Sequence, residues 1–431
     1  MSGQNQQNES LIQIGPKKKV AFVCSGGATK AGAFHLGVAL ALQEKGFQFK
    51  GGLTSQLPVQ NSSSSDGLEI STYVGSSAGS LISAYLAAGY SLENIVNSFL
   101  GRKATSSDPR DTFPKSLPRL TYQKAFKLRA PSLTDQLSQI GRLQRLFTGW
   151  VDGSWDGLFN LDWLKISGIF SISGVEQYLR EEVLPSNSFC DYSADLFVVA
   201  TQLNHSRKVI FGKHNFQPPP SDLTCQYNND IQISDACAAS MALPVIFAPH
   251  AIKHSAGHTY HYIDGEIRDT LSTHVAVDNG ADLVIASYTH QPYHMTSEIG
   301  SLTERGLPSI VIQSIYLLIE QKINATIYNK QTQVNAVQAV SDYCRAEGIS
   351  EIHRHKICEI MEAELHLRRN VDTIYIHPNP QDTSLFFGEH FTFSPKKMSE
   401  IVKSGFRAAI DTLKRYEFAG LQARHAIGTT E

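Results

Sequence analysis

Short, fully apolar runs alternate along this chain with stretches whose apolar residues recur every three or four positions. That alternation predicts its elements. Residues 19–25, KVAFVCS, read as a buried strand that ends in Gly26-Gly27. Residues 32–44 predict a helix that Gly46 stops. Residues 50–67, rich in Ser, Gly, Asn and Gln, predict a long surface loop, followed by a strand over 69–74. Residues 75–79 form a tight turn into a helix over 81–88 that Gly89 caps. Further along, the pattern predicts helices over 173–182, 233–241 and 273–278, and strands over 196–200, 261–263 and 282–287. Strands that alternate with helices in this way imply a mostly parallel sheet covered on both faces. From about residue 308 to 369 the pattern turns helical. A strand over 372–377 and a final helix over 396–416 follow.

One stretch breaks the alternation. Residues 101–150 carry ten Lys or Arg against three Asp. Leu137, Ile140, Leu143, Leu146, Phe147 and Trp150 recur there at helical spacing. Residues 101–170 therefore read as a cap inserted into an α/β core spanning 17–290. Residues 1–16 are polar and expected to be disordered, and residues 291–431 form a mainly helical region that completes or extends the core.

Bulk composition narrows the class. The 431 residues are 42% hydrophobic and have a net charge of −2, a balance that gives no support to bulk nucleic-acid binding. The six cysteines are scattered with no CxxC pair, which argues against a disulfide framework or a zinc site and suits a reducing, cytoplasmic setting. The N-terminal MSGQNQQNESLIQIGPKKK lacks a signal-peptide apolar run, and no stretch reaches the roughly 18 apolar residues of a membrane span. Any membrane contact is expected to be peripheral, through the basic 101–150 stretch with Phe147 and Trp150.

Three short segments carry chemistry. Gly75-Ser76-Ser77-Ala78-Gly79 is GxSxG between a predicted strand and a predicted helix. In that setting a sharp turn pushes the central serine outward, and the small neighbours let the backbone close. Ser25-Gly26-Gly27-Ala28-Thr29-Lys30 follows the first strand. Its consecutive small residues expose backbone N–H groups of the kind an acyl-transfer enzyme aims at a developing oxyanion, with Lys30 adding positive charge. The rival, a phosphate loop, lacks both GxxxxGK[ST] and GxGxxG. Asp264-Gly265-Glu266 ends a short strand and offers a carboxylate base for a serine, although an Asp-Gly turn alone would read the same way.

In this order the segments resemble the patatin-like phospholipase family. SGGATKAGAFHLGVALAL looks like the family's oxyanion loop and first helix, GSSAG its nucleophile elbow, and YIDGEIRDTLSTHVAVDNGADLVI its Asp-Gly motif. ACAASMALPVIFAPH resembles the Ala-Ser-x-x-x-Pro stretch that precedes that Asp. The resemblance implies a three-layer α/β/α sandwich around a central, mostly parallel sheet. It also implies a Ser–Asp dyad with Ser77 as nucleophile and Asp264 as base, an oxyanion hole at Gly26, Gly27 and Ala28, and supporting roles for Lys30, Gly75, Gly79 and Gly265. Phospholipase A, lysophospholipase or general lipid acyl hydrolase activity on a lipid or phospholipid follows, without a cofactor or metal. A transacylase or thioesterase would use the same residues. Two departures stand out: Ala28 replaces the third glycine, which matters if its φ is positive, and Glu266 replaces a Gly or Ala and puts a second carboxylate near Asp264. These motivate the contrary reading of a catalytically silent lipid-binding scaffold.

Weaker signals have plainer readings. His274, His290 and His294 follow Asp264 but sit in no triad context. His355, Glu359 and Glu362 mimic metal spacing on what reads as a solvated helix. Asp235, Asp269 and Asp278 are expected to be caps or surface groups, and His35 a packing residue of the first helix.

Overall fold

The computed structural model describes residues 11–56, 68–102, 116–128, 170–214, 224–244, 246–255, 257–290, 292, 301–305, 307–365, 367–368, 370–379 and 393–421. Among them, ten strands form one sheet. In chain order these are β1 (Val20–Cys24), β2 (Gln48–Phe49), β3 (Glu69–Ser76), β4 (Asp195–Gln202) and β5 (Arg207–Gly212). They continue with β6 (Cys225–Asn228), β7 (His250–Lys253), β8 (Thr259–Asp264), β9 (Leu283–Ser287) and β10 (Asp372–Ile376). The main path runs β7-β8-β4-β3-β1-β9-β10, with β2 on β3 and the pair β5–β6 on β4. From β4 to β10 every pairing on that path is parallel, and antiparallel pairing is confined to β7, β8 and β5.

The continuous apolar runs of β1 and β9 resolve into two alternating faces. Val20, Phe22 and Cys24 enter one core with Leu283 and Ile285. Ala21 and Val23 enter the opposite core with Val284 and Ala286. That two-sided burial is why these strands show no polar alternation. The first face is covered by α1 (Ala28–Lys45), α2 (Ala78–Ala87) and α3 (Leu92–Leu100), by α4 (Ser173–Tyr178) and α5 (Ile233–Met241), and later by α9 (Pro395–Leu413). The second face is covered by α6 (Thr273–Asp278) and by α7 (Leu307–Ala346), which contributes Ile319 and Ile323. The result is the expected α/β/α arrangement.

Local signals set several boundaries. Gly46 ends α1 at φ 109°, a left-handed cap that suits glycine. The helix begins at Ala28 rather than Gly32, because the glycine loop turns directly into it. Helix α3 is announced by no clear apolar run. It is capped at Ser91, whose hydroxyl accepts the Asn94 N–H at 3.3 Å. Helices α1 and α9 cross at two glycines: a Cβ at Gly37 would lie 2.0 Å from the Val402 carbonyl, and one at Gly405 2.1 Å from the Phe34 carbonyl. Helix α8 (Glu351–Glu364) packs back on α7 around Val337, Cys358 and Leu367. The apolar pattern over 137–150 lies outside the described residues. No helix among the described residues is long and apolar enough to cross a membrane.

Candidate active site

Strand β4 explains how two residues 187 positions apart come to touch. One edge of β4 is taken by β5 along residues 197–202. The other edge holds β3 as far as Ser76 opposite Val199, and then β8 from Asp264 opposite Ala200. Because β3 runs parallel to β4 and β8 antiparallel, the two strands approach head-on and end at adjacent rungs. Ser77 steps off the end of one and Asp264 terminates the other. Gly265 follows directly, and a Cβ there would lie 2.2 Å from the Val199 carbonyl.

Ser77 sits at φ 51°, ψ −128°, a conformation that costs a non-glycine residue about 1–3 kcal/mol and aims the side chain outward. Several contacts hold it there. Its N–H donates to Ser240 Oγ at 2.8 Å, and Ser240 Oγ donates to the Val199 carbonyl at 2.5 Å. Its carbonyl accepts the Ser80 N–H at 2.9 Å and the Ser80 hydroxyl at 2.6 Å. Cβ atoms at Gly75 and Gly79 would fall 2.4 Å from Ser80 Cα and 2.2 Å from the Cys24 carbonyl, so the turn closes only on glycine. The Ser77 hydroxyl lies beside the Asp264 carboxyl. Burial pushes that carboxyl up to about 6, an effect that the neighbouring Ser77 hydroxyl and the bond from the Glu266 N–H (2.9 Å to Oδ1) reduce.

The glycine loop is clamped against this pair. Gly27 adopts φ 129° and Ala28 φ 59°, so the alanine stands where positive φ is required. The Gly26 carbonyl accepts the Thr289 hydroxyl at 3.1 Å, and the Gly26 N–H donates to Glu266 Oε1 at 2.7 Å. Among the described residues, Gly27 and Ala28 N–H donate to no other backbone group, as expected for residues leading into a helix N-terminus. His35 braces the loop from α1. Its Nε2–H donates to the Ser25 carbonyl at 2.8 Å, leaving Nδ1 to accept the Ser287 hydroxyl at 2.7 Å. Burial pushes the imidazole down to about 4, so it is neutral in this role. Lys30 points elsewhere. It is buried, its ammonium lies 5.0 Å from the centroid of the Tyr316 ring on α7, and burial lowers its pKa to about 7.

An apolar cavity of about 860 Å³, counting its open mouth, begins at Ser77 and Ala28. Its walls include Leu81, Phe99, Leu120, Phe126, Met241 and Phe247. Phe126 and Phe247 stack with ring centroids 5.4 Å apart. Arg119 is the cationic group of the lining, and its guanidinium donates to the Phe393 carbonyl at 2.6 Å. A family model described as patatin-like phospholipase matches residues 22–277, more than half of the chain. The chain belongs to the patatin-like phospholipase family. It is accordingly a lipid acyl hydrolase in the broad sense, with lipid substrates. A search of curated proteins returned no match.

Within this patatin-like site the structure brings together Ser77, Asp264, Gly26, Gly27, Ala28, Gly75, Gly79 and Gly265, and leaves Lys30 out of the cavity lining. Sequence reasoning missed the supports. Ser240 lies in the quoted Ala-Ser-x-x-x-Pro stretch but gave no sign that it holds the Ser77 N–H. Thr289 and the aromatic cavity walls carried no motif. Of the weaker candidates, His274 lies 2.9 Å from Lys208 and beside Asp269. His355 pairs with Glu359 at 3.2 Å on an exposed helix face, as a solvated helix would. Asp269 is more enclosed than a surface group: Lys208 lies 3.4 Å away and Ser272 donates to it at 2.7 Å.

Proposed function

We propose that the protein hydrolyses lipid acyl esters through a Ser77–Asp264 dyad. Ser77 Oγ attacks the ester carbonyl while Asp264 takes its proton. The carbonyl oxygen becomes an oxyanion received by the Gly27 and Ala28 N–H groups. Collapse expels the alcohol, which takes the proton from Asp264 and leaves an acyl-serine. A water then repeats the attack with Asp264 again as base, releasing the fatty acid and restoring Ser77. The acyl chain lies in the apolar cavity that starts at Ser77. Leu120 and Phe126, within the 101–170 stretch read as a cap, line the cavity, and the basic charge of 101–150 suits contact with an anionic lipid surface.

The observation that carries this reading is the strained elbow serine set beside a buried, elevated carboxyl at the mouth of an apolar cavity. The test is hydrolysis of a p-nitrophenyl acyl-chain series by wild type, Ser77→Ala and Asp264→Asn, together with fluorophosphonate labelling. Activity and labelling in wild type, both lost in the folded Ser77→Ala protein, uphold it. Full activity in Ser77→Ala, or no labelling of wild type in the presence of lipid vesicles, removes it.

A further inference from the structure

The second carboxylate of the Asp-Gly-Glu motif is not used by the reaction above, yet it is the one bound to the glycine loop. Glu266 is 5% exposed and sits on the short turn Gly265–Ile267 that follows β8. Its Oε1 accepts the Gly26 N–H at 2.7 Å. Its stem and the Ser77 side chain press on the same face of Gly26, where a Cβ would be 2.7 Å from both Glu266 Cγ and Ser77 Cβ. With Thr289 holding the Gly26 carbonyl, the residue before the two free donors is pinned at both ends. The Gly26 N–H therefore points to Glu266 and not to substrate.

The charge state follows from the neighbours. Oε2 is buried and lies close to the Ser76 hydroxyl, but neither atom completes a hydrogen bond among the described residues. A proton on Oε2, donated to Ser76 Oγ, satisfies both atoms. Burial first and the adjacent Asp264 second hold the Glu266 carboxyl well above the carboxylate range, with Asp269 adding to this and the bond from Gly26 and the neighbouring Ser76 hydroxyl opposing it. Two lysines near the turn are engaged elsewhere: Lys208 with Asp269, and Lys322 with the Ile267 carbonyl at 2.9 Å. A second negative charge here would oppose both the ionised Asp264 and the oxyanion.

We propose that Glu266 is a positioning residue whose uncharged carboxyl anchors Gly26, so that the Gly27 and Ala28 N–H groups face the ester carbonyl at Ser77. The role rests on the dyad reading above, and Ser77→Ala tests that reading separately. Glu266→Gln keeps an uncharged acceptor of the same shape, while Glu266→Met keeps the stem and removes both oxygens. The expected result is a kcat for Glu266→Gln within about threefold of wild type, and for Glu266→Met a kcat lowered about tenfold to a hundredfold with KM within threefold, as loss of oriented donors acts on the transition state. Hydrogen exchange of the 25–31 backbone amides, readable whether or not Ser77 is the nucleophile, should speed up in Glu266→Met and stay slow in Glu266→Gln. The difference infrared spectrum of wild type minus Glu266→Gln at pH 8, where Asp264 is ionised, should contain a protonated-carboxyl band. Wild-type kcat and exchange in Glu266→Met overturn the anchoring, and absence of that band overturns the uncharged state.

Discussion

The active-site junction and the α7–α8 hairpin are built from the same chain by opposite rules. At the junction, two strands end against each other on β4, and the Ser77 N–H and carbonyl are both held by hydrogen bonds. The glycine contacts there are against backbone, which cannot move aside. In the hairpin, a small cluster of Val337, Cys358 and Leu367 holds two helices while Tyr343, Ile352 and Ile360 stand 64%, 81% and 56% exposed. One region spends its packing on fixing a few atoms, and the other only has to keep two helices together. Substitutions should therefore be costly at the junction and cheap on the hairpin face.

The largest effect is expected at Ser77. Ser77→Ala should lower kcat by about 10⁴-fold or more without loss of fold, read by ester hydrolysis and circular dichroism; a fall of less than tenfold would place the chemistry elsewhere. Away from the site, Gly405→Val would drive a side chain into the Phe34 carbonyl at the α1–α9 crossing. It should cost on the order of 3 kcal/mol in a denaturant titration, whereas an unchanged midpoint would mean the helices part easily.

The next prediction concerns charge. Asp264 is held at about 6, above its unfolded value, so the fold favours its protonated form. This group stabilises the fold below its unfolded pKa, and that contribution is lost as pH rises through about 6. Asp264→Asn, neutral throughout, should therefore be more stable than wild type at pH 8 by up to about 3 kcal/mol, with the gap closing towards pH 4 in thermal melts. In wild type the same group, acting as base, should give kcat/KM an acid limb centred near pH 6. A gap independent of pH would show that the carboxyl is not the titrating group.

Smaller again is Ser240→Ala, which removes the acceptor of the Ser77 N–H. A loss in kcat of about tenfold to a hundredfold is expected, since a slight displacement of the nucleophile is enough to misalign attack; wild-type kinetics would show the elbow holds itself. On the hairpin, Ile352→Lys should change stability by no more than about 0.5 kcal/mol and leave hydrolysis unaltered. A marked loss of either would mean that this exposed face is engaged and that the contrast between the regions fails.

Much of this was legible before any coordinates. The helices Ile233–Met241 and Thr273–Asp278 coincide with their apolar patterns, and β1, β3 and β9 with their apolar runs, because those signals are local. The pattern is silent on β5, β6 and β7, short segments whose strand character comes from pairing with β4, β5 and β8. Strand β3 also runs two residues past its predicted end, because pairing with Val198 and Val199 carries Gly75 and Ser76 into the sheet.

Within the site the same division holds. The sequence by itself determined the candidate reactive groups: a serine in a turn that only small neighbours permit, an Asp-Gly at a strand end, and a run of small residues before a helix. Those are properties of adjacent residues, and adjacent residues obey local sterics. Only the tertiary structure decided that β3 and β8 meet on one edge of β4, that Ala28 must hold a positive φ, that Lys30 turns to Tyr316, and that Glu266 takes the Gly26 N–H. Each of those depends on strand register or on burial among residues far apart in the chain. Hydrogen-bond partners and pKa values are set by such neighbours, which no short window of sequence contains.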